Sequence, residues 1–385
     1  MAGLSTISNI WNNVREVDLR PIRQEGLRGV KIAIAGKTGA GRKTLAEALR
    51  RDPSHPDRVL QTPVLILNLD QAGEAADVDL IILVLDGRER DFSRQKAAAR
   101  SWTDAGKPVL VFVNHSPDSP GPAAPGPWID WGQKRVVYGS VQDSTFLLKD
   151  FAPAVMEIVP ELLLALGRNF PLFRVPVAQH LINETSFNNA SYSLTTGLAE
   201  IVPGLGIPLN VADMVVLTKS QAFLIYRLGL ALGLSERWQD YVAEFGGVLG
   251  GGFMWRQLAR SLVGLIPAWG IIPKVAIAYS GTYVVGNVIL QWYLTGRHLD
   301  PKQMRALSAQ AFQRGKILAR TLVEKTPRPR LNRPGKAALP APQKKRGRGR
   351  PVCSNCGRTN SRAAAFCQYC GQLLDDPPAA LPSKS

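Results

Sequence analysis

Cysteine is scarce in this chain and confined to one place. The 385 residues contain four, all between Cys353 and Cys370. That clustering excludes a disulfide framework spread along the chain and reserves the thiols for a local site. The start of the chain lacks a secretory pattern, because Met1–Asn13 has no cationic segment followed by an apolar run. Acids are also in short supply, with 30 Asp and Glu against 47 Lys and Arg, giving a net charge of +17. The imbalance peaks at Arg328–Arg350, which holds nine bases and no acid. Such a chain suits an anionic partner: acidic lipid, nucleic acid or another protein. Hydrophobic residues still make up 45%, so global disorder is excluded, and the length provides for two or three domains.

What is present is organised around Val30–Arg51. Ile32–Ala35 is an apolar run of the kind that forms a buried strand. Gly36, Gly39 and Gly41 punctuate the loop that follows, and Lys43–Arg51 reads as a helix. Strand, glycine loop and helix form the setting of a phosphate-binding loop, in which backbone amides and the helix N-terminus converge on an anion. Against G-x-x-x-x-G-K-[ST], Gly36 and Gly41 fit, Arg42 takes the lysine slot and Lys43 the Ser/Thr slot. A shifted frame gives Lys43 and Thr44 the last two roles but forces Arg42 into a glycine position. Arg42 supplies a planar fork rather than a point charge, and Lys43 cannot ligate magnesium, which leaves Thr44 as the nearby oxygen ligand. An ordinary strand-to-helix turn is the competing reading.

Upstream, Ile7, Ile10, Trp11 and Val14 form one apolar face of a helix at Ser5–Val17, suited to packing on the following domain. Downstream, strands are expected at Lys31–Ala35, Val64–Leu69, Leu80–Leu85, Val109–Val113 and Arg135–Tyr138. They alternate with helices at Lys43–Arg51, Ser93–Ala105 and Ser144–Val159. Alternation of this kind implies a parallel sheet covered on both faces, with ligands at the carboxyl ends of the strands. Asp70-Gln71-Ala72-Gly73 follows one strand, Asn114-His115-Ser116-Pro117-Asp118 another, and Ser140-Val141 the last. In this order, and with the glycine loop, they resemble the D-x-x-G, N-K-x-D and S-A elements of an Era-like GTPase domain over Arg28–Arg168. The resemblance implies that Asp70 and Gly73 lie at the magnesium and third-phosphate position, and Asn114 and Ser140 at the base. The chain departs from the family where His115 replaces lysine and Pro117 the base-reading aspartate. Thr44 and Asp70 are also only 26 positions apart, too close for the usual mobile switch segments. No residue is clearly placed to direct an attacking water, Gln71 being a weak candidate, so catalytic residues are unassigned and activity is at most that of a weak GTPase. Ser116–Pro127, rich in proline and glycine, is a turn-rich surface loop.

From Phe170 to Val323 the pattern changes to apolar helices at Val177–Leu198, Val211–Leu234, Glu236–Glu244, Phe253–Leu265, Val275–Leu294 and Asp300–Val323. Gly204–Leu209, Ala212–Gln221, Ile266-Pro267 and Gly281–Gly286 resemble a YcjF-like bacterial domain of unassigned activity, whose members accompany Era-like GTPases. Ala276–Thr295 has 20 residues without charge, long enough to cross a bilayer, whereas Thr195–Thr218 carries Glu200 and Asp213. Spanning, peripheral membrane contact and a soluble bundle stay open. Thr326–Pro351 is a basic, proline-rich tether, and its Arg348-Gly349-Arg350-Pro351 resembles an AT-hook core. Cys353-Ser-Asn-Cys356-Gly and Cys367-Gln-Tyr-Cys370-Gly, ten residues apart, have the spacing of four thiolates closing a tetrahedron around a structural zinc. The segment resembles bacterial zinc-ribbon tails.

The expected fold class is α/β: a parallel-sheet P-loop GTPase-like domain, then an all-α hydrophobic domain and a small zinc ribbon. The boundaries are 1–28 for an amphipathic N-terminal helix, 29–168 for the GTPase-like domain and 169–323 for a helical GTPase-associated domain whose membrane association stays open. A disordered basic linker at 324–352, a zinc ribbon at 353–374 and a tail at 375–385 follow. The expected function is that of a divergent GTP-binding regulatory or scaffolding protein in the cytoplasm or at the cytoplasmic face of a bacterial inner membrane. Its phosphate and magnesium contacts come from Arg42, Lys43 and Thr44. Cofactors are structural zinc, with GTP and magnesium as candidates. Candidate partners are a guanine nucleotide, a membrane or acidic lipid, a protein, and nucleic acid through the basic tail. The alternatives are a non-enzymatic interaction protein built on a nucleotide-silent scaffold, and a nucleic-acid-associated protein acting through tail and ribbon.

Overall fold

A computed structural model of the chain describes residues 18–69, 77–115, 135–200, 211–241, 271–325, 352–355 and 357–359. Asp70, Gly73, Cys356, Cys367 and Cys370 lie outside them, as do the expected N-terminal helix, the Ser116–Pro127 loop, Phe253–Leu265 and the linker. The described residues fall into two compact units. The first is drawn from Met1–Asn183, Ala222–Trp255 and Gly286–Leu299, the second from Glu184–Gln221, Arg256–Val285 and Asp300–Ser385.

The first unit holds a five-stranded, all-parallel sheet. Its strands are β1 (Ile32–Gly36), β4 (Val64–Leu67), β5 (Leu80–Asp86), β6 (Val109–Asn114) and β7 (Val136–Tyr138). β1, β5 and β6 are continuous apolar runs and are buried along almost their whole length, as strands covered on both faces must be. The order β4-β1-β5-β6-β7 reverses direction between β1 and β5. That reversal opens a crevice at the carboxyl ends of β1 and β5. Helix α1 (Arg20–Leu27) precedes the sheet with Pro21 in its first turn; α2 (Arg42–Arg50) and α3 (Ser93–Asp104) follow β1 and β5. On α2, Leu45, Ala46 and Leu49 share the buried face, one helical turn apart. After β7, Asp143 caps α4 (Ser144–Phe146) by accepting from the Thr145 and Phe146 amides. A π turn at Leu147–Phe151 then leads to α5 (Ala152–Ile158) and α6 (Leu163–Asn169).

The strands and helices of this sheet sit within one or two residues of their expected places. An antiparallel hairpin adds to the expected pattern: β2 (Arg51–Asp52) pairs with β3 (His55–Val59) between α2 and β4. β4 is left as the sheet edge, consistent with a short segment between Thr44 and Asp70.

Three long helices contribute to both units: α7 (Arg174–Glu200), α8 (Val211–Ala231) and α9 (Ile271–Thr295). The compact units therefore interleave along the chain. Within the second unit, Ala190 and Leu194 of α7, Val275 of α9 and Ala319 of α10 (Pro301–Lys325) form an apolar core. Gly315 lets α10 approach the α9 backbone at Ala276, where a Cβ would stand 2.8 Å from the carbonyl oxygen. Asp300 and Gln303 close the start of α10 with reciprocal backbone-to-side-chain hydrogen bonds of 2.7 and 3.1 Å.

Among the described residues, no helix is long and apolar enough to cross a membrane. This corrects the spanning reading of Ala276–Thr295. The reason lies in α9 itself: Ser280 and Thr282 are buried polar groups, and Asn189 donates to Thr282 Oγ1 at 2.8 Å. Asn287 is likewise engaged, accepting from Gln179 at 3.1 Å. The helix is uncharged from Ala276 onward but polar at the positions that face protein.

Candidate functional site

The loop between β1 and α2 lies at the crevice where the sheet reverses. Gly36, Gly39 and Gly41 have φ of +151°, +89° and +103°, backbone that side chains resist. Gly41 is the N-cap of α2, and no side chain caps that helix end. Gly41 therefore ends the loop, and Arg42 and Lys43 follow it as the first residues of α2. Lys43 and Thr44 are exposed on the first turn of α2.

The loop is tied to three neighbouring strand ends. Toward β6, Asn114 is fully buried; its Nδ2 donates to Ala40 O at 2.9 Å and its Oδ1 accepts from the Val141 amide at 3.0 Å. A Cβ on Gly41 would collide with that Asn114 amide, so proximity as well as φ demands glycine. Toward β5, Lys37 pairs with Glu89 at 2.8 Å, and the same carboxylate oxygen accepts from buried Gln95 at 3.0 Å. Toward β4, Arg42 donates to Leu67 O, to Asn68 Oδ1 at 2.9 Å and to Thr38 Oγ1 at 3.3 Å.

The charges around the loop are unequally compensated. Arg88 neutralises Asp86 across 2.7 Å and, chiefly through that hydrogen bond, holds its carboxyl down at about 2. Lys37 has Glu89. Arg42 has only neutral acceptors; among the described residues it forms no ion pair, and neither does exposed Lys43. Partial burial pulls the Arg42 guanidinium below its ordinary range, the direction expected of a cation short of counter-charge. The arrangement presents an unneutralised fork and a neighbouring ammonium at an uncapped helix start.

Of the other expected site residues, Ser140 follows β7, and its Oγ accepts from the Gln142 amide at 3.2 Å in the loop whose Val141 amide meets Asn114. Asn114 thus borders the glycine loop and Ser140 lies in the segment whose Val141 it holds, while Asp70 and Gly73 lie outside the described residues. Lys37, Thr38, Asn68, Glu89 and Gln95 are not singled out by the sequence. Polar residues at loop positions and strand ends are the available signal. Lys43, a cation, cannot ligate magnesium, so among the described residues of this first turn Thr44 offers the side-chain oxygen.

At the far end of the chain, Cys353 is 1% exposed. Its amide donates to Arg358 O at 2.9 Å and its carbonyl accepts from Gly357 at 2.8 Å. Gly357 has φ of +69°, and Val352 pairs with Thr359. A tight turn therefore follows Cys353, and the other three cysteines lie outside the described residues. No group of three ligating side chains occurs among the described residues. Compared with known proteins, the chain matches no family model, and no curated protein matches it in sequence.

Proposed function

We propose that the first unit contains a divergent Era-like P-loop domain that binds the phosphates of a guanine nucleotide without turning it over efficiently. Its role is regulatory or scaffolding. The observation that carries this reading is Arg42, a partly buried cation with only neutral acceptors beside a glycine loop and an uncapped helix. Arg42 and Lys43 bind phosphate oxygens, with Thr44 beside them. Asn114 holds the glycine loop against the Ser140 loop, which forms the base edge. Lys43 in the metal-ligand position supplies fixed positive charge in place of a divalent ion, so binding is expected to survive chelation of magnesium. The helices following the sheet form a YcjF-like, GTPase-associated region at or near the cytoplasmic face of a membrane.

Calorimetric titration with GTP, GDP and ATP, each with magnesium and with chelator, tests the reading. Binding in both conditions, weakened tenfold or more in Arg42→Ala, is the expected result. Absence of heat at millimolar nucleotide overturns it. A second reading is favoured by the three hydrogen bonds that Arg42 already makes: a non-enzymatic scaffold in which the arginine fills its own loop. It requires that Arg42→Ala and Lys43→Ala leave partner binding intact.

For the C-terminal segment the reading is a structural zinc held by Cys353, Cys356, Cys367 and Cys370. Four sulfurs leave no open coordination position, so the metal serves folding rather than catalysis.

A further inference from the structure

Helix α10 presents a cationic face that nothing in the nucleotide reading uses. Met304, Ser308, Ala311, Phe312, Gly315 and Ala319 turn inward. The opposite face exposes Lys302, Arg305 and Arg320, and among the described residues none of these three forms an ion pair. The acids of the segment are Asp300, used as the cap, and Glu324 in the last turn. Lys316, on the same face, lies over the Phe312 ring at 5.3 Å.

The distribution of charge along that face is not uniform. Lys302 and Arg305 mark one end, Lys316 and Arg320 the other. Between them stand exposed Ala306, Ala309, Gln310 and Gln313, with Arg314 to one side, where it donates to the Tyr283 hydroxyl at 3.0 Å. At 1.5 Å per residue, the gap from Arg305 to Lys316 is about 16 Å. The major groove of duplex DNA is roughly 12 Å wide, so long cationic side chains at both ends reach the phosphates flanking the groove. The alanines permit close approach, and glutamine amides are suited to base edges. A lipid surface would not reward a neutral centre, and it would call for large apolar side chains; on this face only Ile317, 65% exposed, qualifies.

We infer that the exposed face of α10 is a docking surface for duplex nucleic acid, with Lys302, Arg305 and Arg320 pairing with phosphates.

The test uses the full chain and a fluorescein-labelled, mixed-sequence DNA duplex, with anisotropy titrations repeated across a range of salt concentrations. The triple variant Lys302→Ala/Arg305→Ala/Arg320→Ala leaves the basic segment untouched, and alanine suits exposed helix positions. With three fewer phosphates neutralised, the slope of log K against log salt is expected to become shallower by about 2.7. An unchanged slope, or no DNA binding by the wild type, overturns the inference. So does an effect of the variant confined to vesicles of 30% phosphatidylserine in a parallel sedimentation assay, which would make the face a lipid site. If the alanine variant fails to fold, as judged by thermal melting, Lys302→Gln/Arg305→Gln/Arg320→Gln carries the same expectation.

Discussion

Asn114→Ala is the sharpest probe of the glycine loop. The side chain is fully buried at the end of β6 and satisfies two backbone groups, the Ala40 carbonyl at 2.9 Å and the Val141 amide at 3.0 Å. Truncation leaves both without that partner in a site too crowded for easy hydration. An orphaned buried polar group costs about 1–3 kcal/mol, so two give roughly 3 kcal/mol after relaxation. Tenfold in an equilibrium corresponds to about 1.4 kcal/mol, and the amides of the loop and of Val141 should exchange roughly 100-fold faster. Hydrogen-exchange mass spectrometry of peptides covering residues 36–44 and 139–146 reads this directly. The α9 and α10 peptides are the internal control. Exchange within threefold of wild type in both site peptides would refute the account of Asn114 as the staple between two loops.

The same close approach makes Gly41→Ala damaging. Left-handed backbone and collision with Asn114 together should destabilise the unit by about 2 kcal/mol or more, seen as a lowered melting temperature. For Asp86, the carboxyl held at about 2 against an ordinary 3.8 contributes stability above pH 4 that fades as pH falls toward 2. Arg88 stands mostly in water, so the effect is about 1 kcal/mol, and Asp86→Asn should flatten the acid limb of the stability curve. At the C-terminus, purified protein is expected to carry one zinc per chain by elemental analysis. Cys353→Ser should abolish it while leaving the α/β unit's melting unchanged.

Much of the sheet was legible because buried parallel strands leave continuous apolar runs. Leu80-Ile-Ile-Leu-Val-Leu and Val109-Leu-Val-Phe-Val have no competing interpretation at that length. The β2–β3 hairpin was not legible, since His55-Pro-Asp-Arg-Val alternates in no hydrophobic sense. Interleaving of the units was hidden for a different reason. The composition changes near residue 169, but α7, α8 and α9 are long enough to take part in both units. At the site, glycine spacing alone pointed to the frame, because only Gly41 tolerates its backbone. The ties of Arg42, Lys37 and Asn114 could not be read, since their partners lie 25, 52 and 74 residues away and depend on which way each side chain turns.

Under the proposed function, Arg42 would set the terms on which a phosphate enters this loop. Its present acceptors are a carbonyl, a side-chain amide and a hydroxyl, none of them charged. A phosphate oxygen offers a charge-assisted bond worth about 1.5–3 kcal/mol, against roughly 1 kcal/mol for a neutral acceptor. Exchange therefore favours phosphate one bond at a time but does not favour giving up all three neutral bonds for a single oxygen. The bond to Thr38, at 3.3 Å longer than the 2.9 Å bond to Asn68, is the first to yield, while the hold on the end of β4 persists. A ligand so bound gains from the guanidinium without moving the strand end that carries Leu67 and Asn68. Under the proposed function, nucleotide binding would then be weak and static, which suits a scaffold rather than a timer driven by hydrolysis.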